Sequence, residues 1–390
     1  MSGNTSNSAA MRGTSQWGLL RSQRFLPFFL TQFLGAFNDN VFKNALQLMI
    51  AFELTMLAGI ASETWVNLAA GLFILPYFLF SATAGQIADK FEKSQLIRFT
   101  KLLELVIMAI AAVAFLLGSI PWLLVLLLLM GVQATLFGPV KYGIMPQHLK
   151  ETELVGGNAL VDSGTFVAIL LGMVLGGLFM AWNEVGRQLT AGTLVVLAVL
   201  GYLTARRIPY AAPSDPDLKI NLNPFTETWR NIQFARRSRP VFLSLLGISW
   251  FWLFGSLFLT QLPSYARLVL NGNESVAVLL SVAVTVGIAI GSLLCERLSG
   301  HKIEIGLVPF GSIGLTLFAA DLYFAHPLPD APGIALGARE FLEQPGAVRV
   351  LFDLAMVGVF GGFYSVPLYA MVLQRSAPSH RSRIIACNNI

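Results

Sequence analysis

The sequence predicts an all-α membrane protein of many crossings, and three observations carry that reading. Of 390 residues, 55% are hydrophobic and only 12% are charged, where an ordinary soluble domain is about 25% charged. Mean hydropathy is +0.68. The apolar residues come in continuous runs, as at 123–130, whereas a strand barrel alternates over segments of about ten residues. At roughly 20 residues per crossing, this content fills about ten helices, so a single-span anchor is excluded.

Taken in order, residues 1–16 are rich in Ser, Asn, Gly and Thr, and 1–24 read as a disordered tail. No signal peptide is expected, because the first apolar run holds Asp39 and Lys43 and ends without a cleavage pattern. Helical spans are predicted at 25–53, 64–88, 99–118, 121–140, 154–181 and 188–205. After a gap they resume at 241–262, 276–295, 304–324 and 350–374, and an eleventh begins near Ile384. Inside the gap, Phe225, Trp229 and Ile232 recur at helical spacing beside Arg230, Arg236 and Arg237. That is the pattern of an amphipathic helix lying on a membrane surface.

The net charge of +5 is explained by where the basic residues lie. Arg12, Arg21 and Arg24 precede the first span; Lys90, Lys93, Arg98 and Lys101 fall between the second and third; Lys141 and Lys150 follow the fourth. More fill the loop from Arg206 to Arg239, whereas the opposite side has only Arg187, Arg267, Arg339 and Arg349. The positive-inside rule therefore places the N-terminus and the central loop in the cytoplasm. The basic excess is topological, and no nucleic-acid partner is expected.

Enzymatic and metal chemistry find no residues to carry them. Cys295 and Cys387 have no metal-type spacing, so no disulfide framework, zinc site or cofactor is expected. A membrane acyltransferase would set an Asp five positions after a His as part of a general base. His148, His301, His326 and His380 are followed at that distance by Glu153, Gly306, Ala331 and Ile385.

Internal repetition divides the chain. Phe137-Gly138 recurs as Phe360-Gly361, residues 153–160 align with 383–390 so that Asn158 falls on Asn388, and Gly85 corresponds to Gly291. A six-helix bundle at 25–206, a cytoplasmic linker at 207–239 and a second bundle at 240–390 follow. A full second copy would run about two helices beyond Ile390, so the second repeat reads as incomplete, with about 10 to 11 spans in all.

Two six-helix repeats around a basic middle loop resemble the major facilitator superfamily. The loop Gly85-Gln-Ile-Ala-Asp89-Lys90-Phe-Glu92-Lys93 is similar to that superfamily's signature between spans two and three, with Glu92 where the pattern has a second Gly. The resemblance implies a gate built on Gly85, Asp89, Lys90 and Lys93, with Asp89 meeting a helix N-terminus or a cation. An ordinary basic turn is the other reading. Within the superfamily, residues 32–40 (Gln32 to Asn40) and 138–143 (Gly138-Pro-Val-Lys141-Tyr142-Gly143) resemble the lysophospholipid transporters. That implies flipping of lyso-phosphatidylethanolamine or its relatives across the bacterial inner membrane, membrane lipids as surroundings, and a fused or separate acyltransferase as partner. Two rivals stay open: a proton-coupled drug or metabolite exporter titrating Asp39, and a non-transporting anchor or truncated gene product.

The first span carries the candidate binding stripe. At about 100° per residue, Gln32, Asp39, Lys43, Asn40 and Asn44 share one arc of about 140°. Asp39 lies about 21 Å along the helix from Phe25, near mid-bilayer. An isolated charge there costs about 2.5–3.5 kcal/mol even on the insertion scale, so a hydrated or protein-lined hollow is required. Asp39 and Lys43 are spaced to pair. The pair either ties the span to its neighbours or receives a zwitterionic headgroup, Asp39 taking the ammonium and Lys43 or Lys141 the phosphate. Asp162 shares a face with Asn158 and Thr165, read either as a gating group or as a buried, hydrogen-bonded acid. Arg349 and Asp353 read as a stabilising pair. Trp250, Phe251, Trp252, Phe254 and Phe258 in the seventh span suit an acyl chain or the surrounding lipid equally.

Overall fold

The structure, a computed structural model, describes residues 16–53, 56–57, 60–180, 182–300, 302–325 and 335–389. Residues 1–15 of the expected tail lie outside that set. Residues 16–24, placed in the same tail by their composition, are ordered. Helix α1 (Gln16–Leu19) docks through Gln16, whose backbone N–H donates to Glu296 at 3.3 Å and whose side chain donates to the Leu293 carbonyl at 3.1 Å.

Six long helices follow: α2 (Leu26–Glu53), α3 (Ser62–Lys90), α4 (Lys93–Leu116), α5 (Ile120–His148), α6 (Leu154–Met180) and α7 (Asn183–Ala205). A two-residue antiparallel ladder of β1 (Met56–Leu57) with β2 (Ile60–Ala61) joins α2 to α3. The linker holds α8 (Pro224–Arg236). Then come α9 (Arg239–Leu268), α10 (Glu274–Leu298), α11 (Leu307–Ala325), the short α12 (Ala338–Leu342), α13 (Ala347–Arg375) and α14 (Arg381–Ala386). Among the described residues, nine helices are long and apolar enough to cross a membrane. Helix α2, 28 residues long, is the tenth long helix and carries the polar stripe.

Helix ends follow local chemistry. Asn223 caps α8, with Pro224 at its first turn, and Asn273 caps α10. The predicted start of the third span near residue 99 is too late. Glu92 caps α4, accepting from the backbone N–H groups of Ser94 at 2.9 Å and Gln95 at 2.7 Å. The helix consequently begins at Lys93, which sets Lys101 eight residues in from its start. Helix α5 likewise runs eight residues past its predicted end at 140, to His148.

Two bundles result. Helix α3 packs on α5, α4 on α7 and α2 on α6, while α10 and α11 pack on α13. Small residues let α10 and α13 approach backbone to backbone: a Cβ on Gly362 would meet the Ser292 backbone N, and one on Gly358 the Val284 carbonyl. One apolar core fills the first bundle around Phe42, Met108 and Phe115, and another the second around Leu280, Phe341 and Leu354. A third, holding Phe25, Ile97, Val140, Val241, Tyr364 and Ile384, spans the two. That shared core lies toward the end of the molecule bearing the linker and the α3–α4 turn, called here the basic face.

Candidate functional site

A cavity of about 550 Å³ opens between the bundles. Helix α2 gives it Gln32 and Asp39; α4 gives Lys101 and Glu104; α5 gives Gln133, Lys141 and Tyr142. Thr165, Trp252 and Tyr369 come from α6, α9 and α13, and Phe73, Tyr77 and Phe137 supply aromatic wall. Ionised groups and aromatic surface therefore share one hollow, the combination an amphiphile needs.

Its charges are not equivalent. Lys101 and Glu104 pair at 2.6 Å, each 2% exposed. Gln133 donates to Glu104 at 3.1 Å and to the Thr100 carbonyl at 3.2 Å, and Lys101 lies 4.9 Å from the Phe137 ring centroid. Gly35 makes this possible, because a Cβ there would run into Lys101 Nζ. Lys101, counted with the basic residues between the second and third spans although it falls within 99–118, and Glu104 both lie in α4, Lys101 about 12 Å along it from Lys93.

Asp39 is the unmatched anion: its Oδ1 is buried without a hydrogen-bond partner. The expected ion pair with Lys43 does not form. Lys43 turns to the face of Phe73, 4.5 Å from its centroid, and lines a separate small pocket with Leu46, Gln47 and Leu127. Lys141 is the cavity's other cation. It donates to the Thr165 hydroxyl at 3.2 Å, and among the described residues no carboxylate lies at ion-pairing distance. The single hydroxyl proton of Thr165 has two acceptors within reach, Gln32 Oε1 at 2.9 Å and the Val161 carbonyl at 2.7 Å. Asn40 and Asn44 leave the site. Asn40 donates to its own helix at the Ala36 carbonyl and Asn44 to the Met173 carbonyl of α6, where Gly172 and Gly176 admit them.

Toward the basic face the cavity is capped by Tyr142 and Tyr369, stacked at 4.9 Å with 9° between their planes. Trp252 donates to the Tyr369 hydroxyl at 2.8 Å. Asp162 sits just beyond, in a small pocket shared with Tyr142, Phe251 and Ser365. Asn158 donates to it at 3.5 Å and to the Val366 carbonyl of the other bundle at 3.4 Å.

The basic face itself is closed. Asp89 accepts from the backbone N–H of Ser382 at 3.1 Å and of Arg383 at 3.3 Å, and from Arg383 Nε at 3.1 Å. Arg383 also reaches Asp215 of the linker at 2.9 Å. Gly85 leaves room for this approach: a Cβ would meet Ala386 Cβ and Arg383 Cα at 2.9 Å. Lys93 holds the linker, donating to the Ser214 hydroxyl at 2.8 Å, while Lys90 lies by Phe91. Glu92 holds the linker as well, accepting from the Ala211 N–H at 2.7 Å. Burial alone would raise its pKa, yet hydrogen bonds from Ala211, Ser94 and Gln95 outweigh burial and hold it below the ordinary glutamate value. The residue that departs from the signature thus caps α4 and anchors the linker. On the first bundle, Arg24 forks onto Glu153 at 2.6 and 2.8 Å.

At the opposite end, the expected Arg349–Asp353 pair is replaced. Arg349 forks onto Asp321 of α11 at 2.6 and 2.9 Å, because α11 brings a carboxylate that the spacing along α13 cannot reveal. Asp353 is buried, and its Oδ2 has no hydrogen-bond partner.

Relatives match this architecture. The model of the Major Facilitator Superfamily matches residues 28–390. The chain is similar to the lysophospholipid transporter LplT of Shigella boydii serotype 4, at 29% identity over 377 residues, covering 94% of this chain and 83% of that one. It is also similar to LplT of Escherichia coli O157:H7, at 28% over 376 residues with the same coverage. Its fold is like that of the human organic anion transporter MFSD10, with a TM-score of 0.72 at 13% identity over 94% of this chain and 89% of that one. The Escherichia coli fucose:proton symporter FucP gives 0.67 at 15%, over 94% and 88%. Family match, helical architecture and central cavity agree: this multi-pass membrane protein belongs to the Major Facilitator Superfamily of transporters.

Proposed function

We propose that the protein is a secondary transporter that moves lysophospholipids of the lyso-phosphatidylethanolamine class across the bacterial inner membrane, with its N-terminus in the cytoplasm. The observation that supports this reading most is the placement of unmatched charge. Lys101 and Glu104 neutralise each other, so the cavity offers one unpartnered carboxylate, on Asp39, and one cation without an ion pair, on Lys141. A zwitterionic phosphoethanolamine presents one ammonium and one phosphate, and a charge-assisted contact at each end satisfies both partners. The aromatic wall of Phe73, Phe137 and Trp252 suits the start of an acyl chain. The volume lies within the roughly 300–1,000 Å³ of small-ligand sites.

Movement follows from the closed basic face. Rocking the bundles about the cavity would part Asp89 from Arg383 and unstack Tyr142 from Tyr369, admitting the cytoplasm to the site. An acyltransferase, fused or separate, would consume the delivered lysolipid. Uptake of labelled lyso-phosphatidylethanolamine by proteoliposomes tests the reading. Saturable uptake is expected, and transport of a soluble drug without any lysolipid would reject it in favour of an exporter.

A further inference from the structure

Helix α8 has two working faces. At about 100° per residue, Phe225, Trp229 and Arg236 fall on one side and Phe234 on the opposite one. The outer side is apolar and basic together: Phe225 is 78% and Trp229 55% exposed. Arg236 spans from the Trp229 ring, at 5.7 Å, to the Phe242 ring of α9, at 5.4 Å. Phe242, near the start of α9, packs partly buried against the shared core, and Leu243 beside it is 53% exposed, so the outer side of α8 meets the end of a membrane span. Glu227, the one acid in α8, is buried on the inner side, leaving the outer side purely cationic.

The inner side touches the gate. The Phe234 ring lies 4.1 Å from the His380 ring and 5.4 Å from the guanidinium of Arg383, the residue that locks Asp89. Asn231 beside it is fully buried with both amide atoms unpartnered, and one Glu227 oxygen is unpaired too. Docking of α8 is held by ring contacts at Phe234, over which Arg230 and Arg237 also lie at 5.5 and 5.2 Å, and it carries unmet polar groups that weaken it.

We propose that α8 senses anionic lipid: negatively charged phospholipid headgroups bind its outer face and keep Phe234 beneath Arg383, favouring the conformation closed at the basic face. Both faces can be engaged at once, so lipid binding and gate closure support each other, and linkage makes the coupling reciprocal. The inference rests on the gate assigned above and not on the identity of the cargo.

The test reads gate position. Ser382 is fully buried at the latch, and a Ser382→Cys variant lacking the native thiols (Cys295→Ser, Cys387→Ser) is reconstituted in phosphatidylcholine vesicles with or without phosphatidylglycerol. Labelling by a soluble maleimide should slow about fivefold when phosphatidylglycerol is present, the low end of ordinary coupling. Phe234→Leu should abolish the difference. Arg236→Gln, on the exposed outer face and away from Phe234, should abolish it as well. Equal labelling in the two lipids, or a lipid effect that survives the Arg236 replacement, would overturn the proposal. Absence of lysophospholipid transport would leave this result standing.

Discussion

Lys101 and Glu104 bond to each other at 2.6 Å in the wall of the cavity, both on α4 and both out of reach of water. This one contact decides which charges remain for a ligand. Unpaired, Lys101 and Glu104 would each be a further charge in the wall that a ligand could meet. With Gln133 fixing Glu104 from α5, the pair is closed on itself and Asp39 stays available.

Breaking that pair should cost far more than removing it. Lys101→Met or Glu104→Gln alone leaves a buried charge uncompensated, and each should lower stability by about 3–5 kcal/mol. The double replacement Lys101→Met with Glu104→Met should recover most of the loss. Thermal unfolding in detergent measures all three; a double variant as unstable as the singles would contradict the assignment.

Gly85 should control the gate by its lack of a side chain. A Cβ at that position meets the Arg383 backbone and Ala386 at 2.9 Å, too close for α14 to stay docked. Gly85→Val should therefore expose Ser382 to a soluble thiol reagent, read on Ser382→Cys, at least about tenfold faster than the parent, given that packed interfaces are bistable. Unchanged labelling would show that α14 docks without needing this space.

Glu92 gives a pH-dependent contribution whose sign is fixed by its hydrogen bonds. Its folded pKa is depressed, so its stabilisation is complete above the ordinary glutamate value and is lost as pH falls through the depressed one. Glu92→Gln should cost about 1 kcal/mol at neutral pH, as loss of a helix cap does, and should flatten the acid limb of stability. Melting curves from neutral to acid pH check both. An acid limb as steep in the variant as in the parent would assign it to other carboxylates.

Much of the fold could be read from the sequence because the bilayer imposes it: continuous apolar runs located the ten long helices found among the described residues. Side-chain partnership was less accessible. Asp39 stood out for its charge at mid-membrane depth and lines the cavity, but an arc of about 140° covers both the cavity and the α6 contact, where Asn40 and Asn44 lie. Lys101 was counted with the loop lysines because it stands only two residues inside the predicted 99–118 span, whereas capping by Glu92 starts α4 at Lys93 and sets it eight residues in. The sequence signal that could have found Glu104 was an acid inside an apolar run, three residues after a lysine. Arg349 found Asp321 across the bundle instead of Asp353 along its own helix, a tertiary contact that spacing cannot express.

The proposed zwitterion site is tested most directly by transport of labelled lyso-phosphatidylethanolamine into proteoliposomes holding the parent, Asp39→Asn or Lys141→Gln. Each neutral variant should insert and fold like the parent yet lose at least about tenfold in uptake, the order expected when one charged partner of a bound ion is removed. Lys43→Gln, outside the cavity, should retain uptake. Parent-like uptake by both Asp39→Asn and Lys141→Gln would contradict the account.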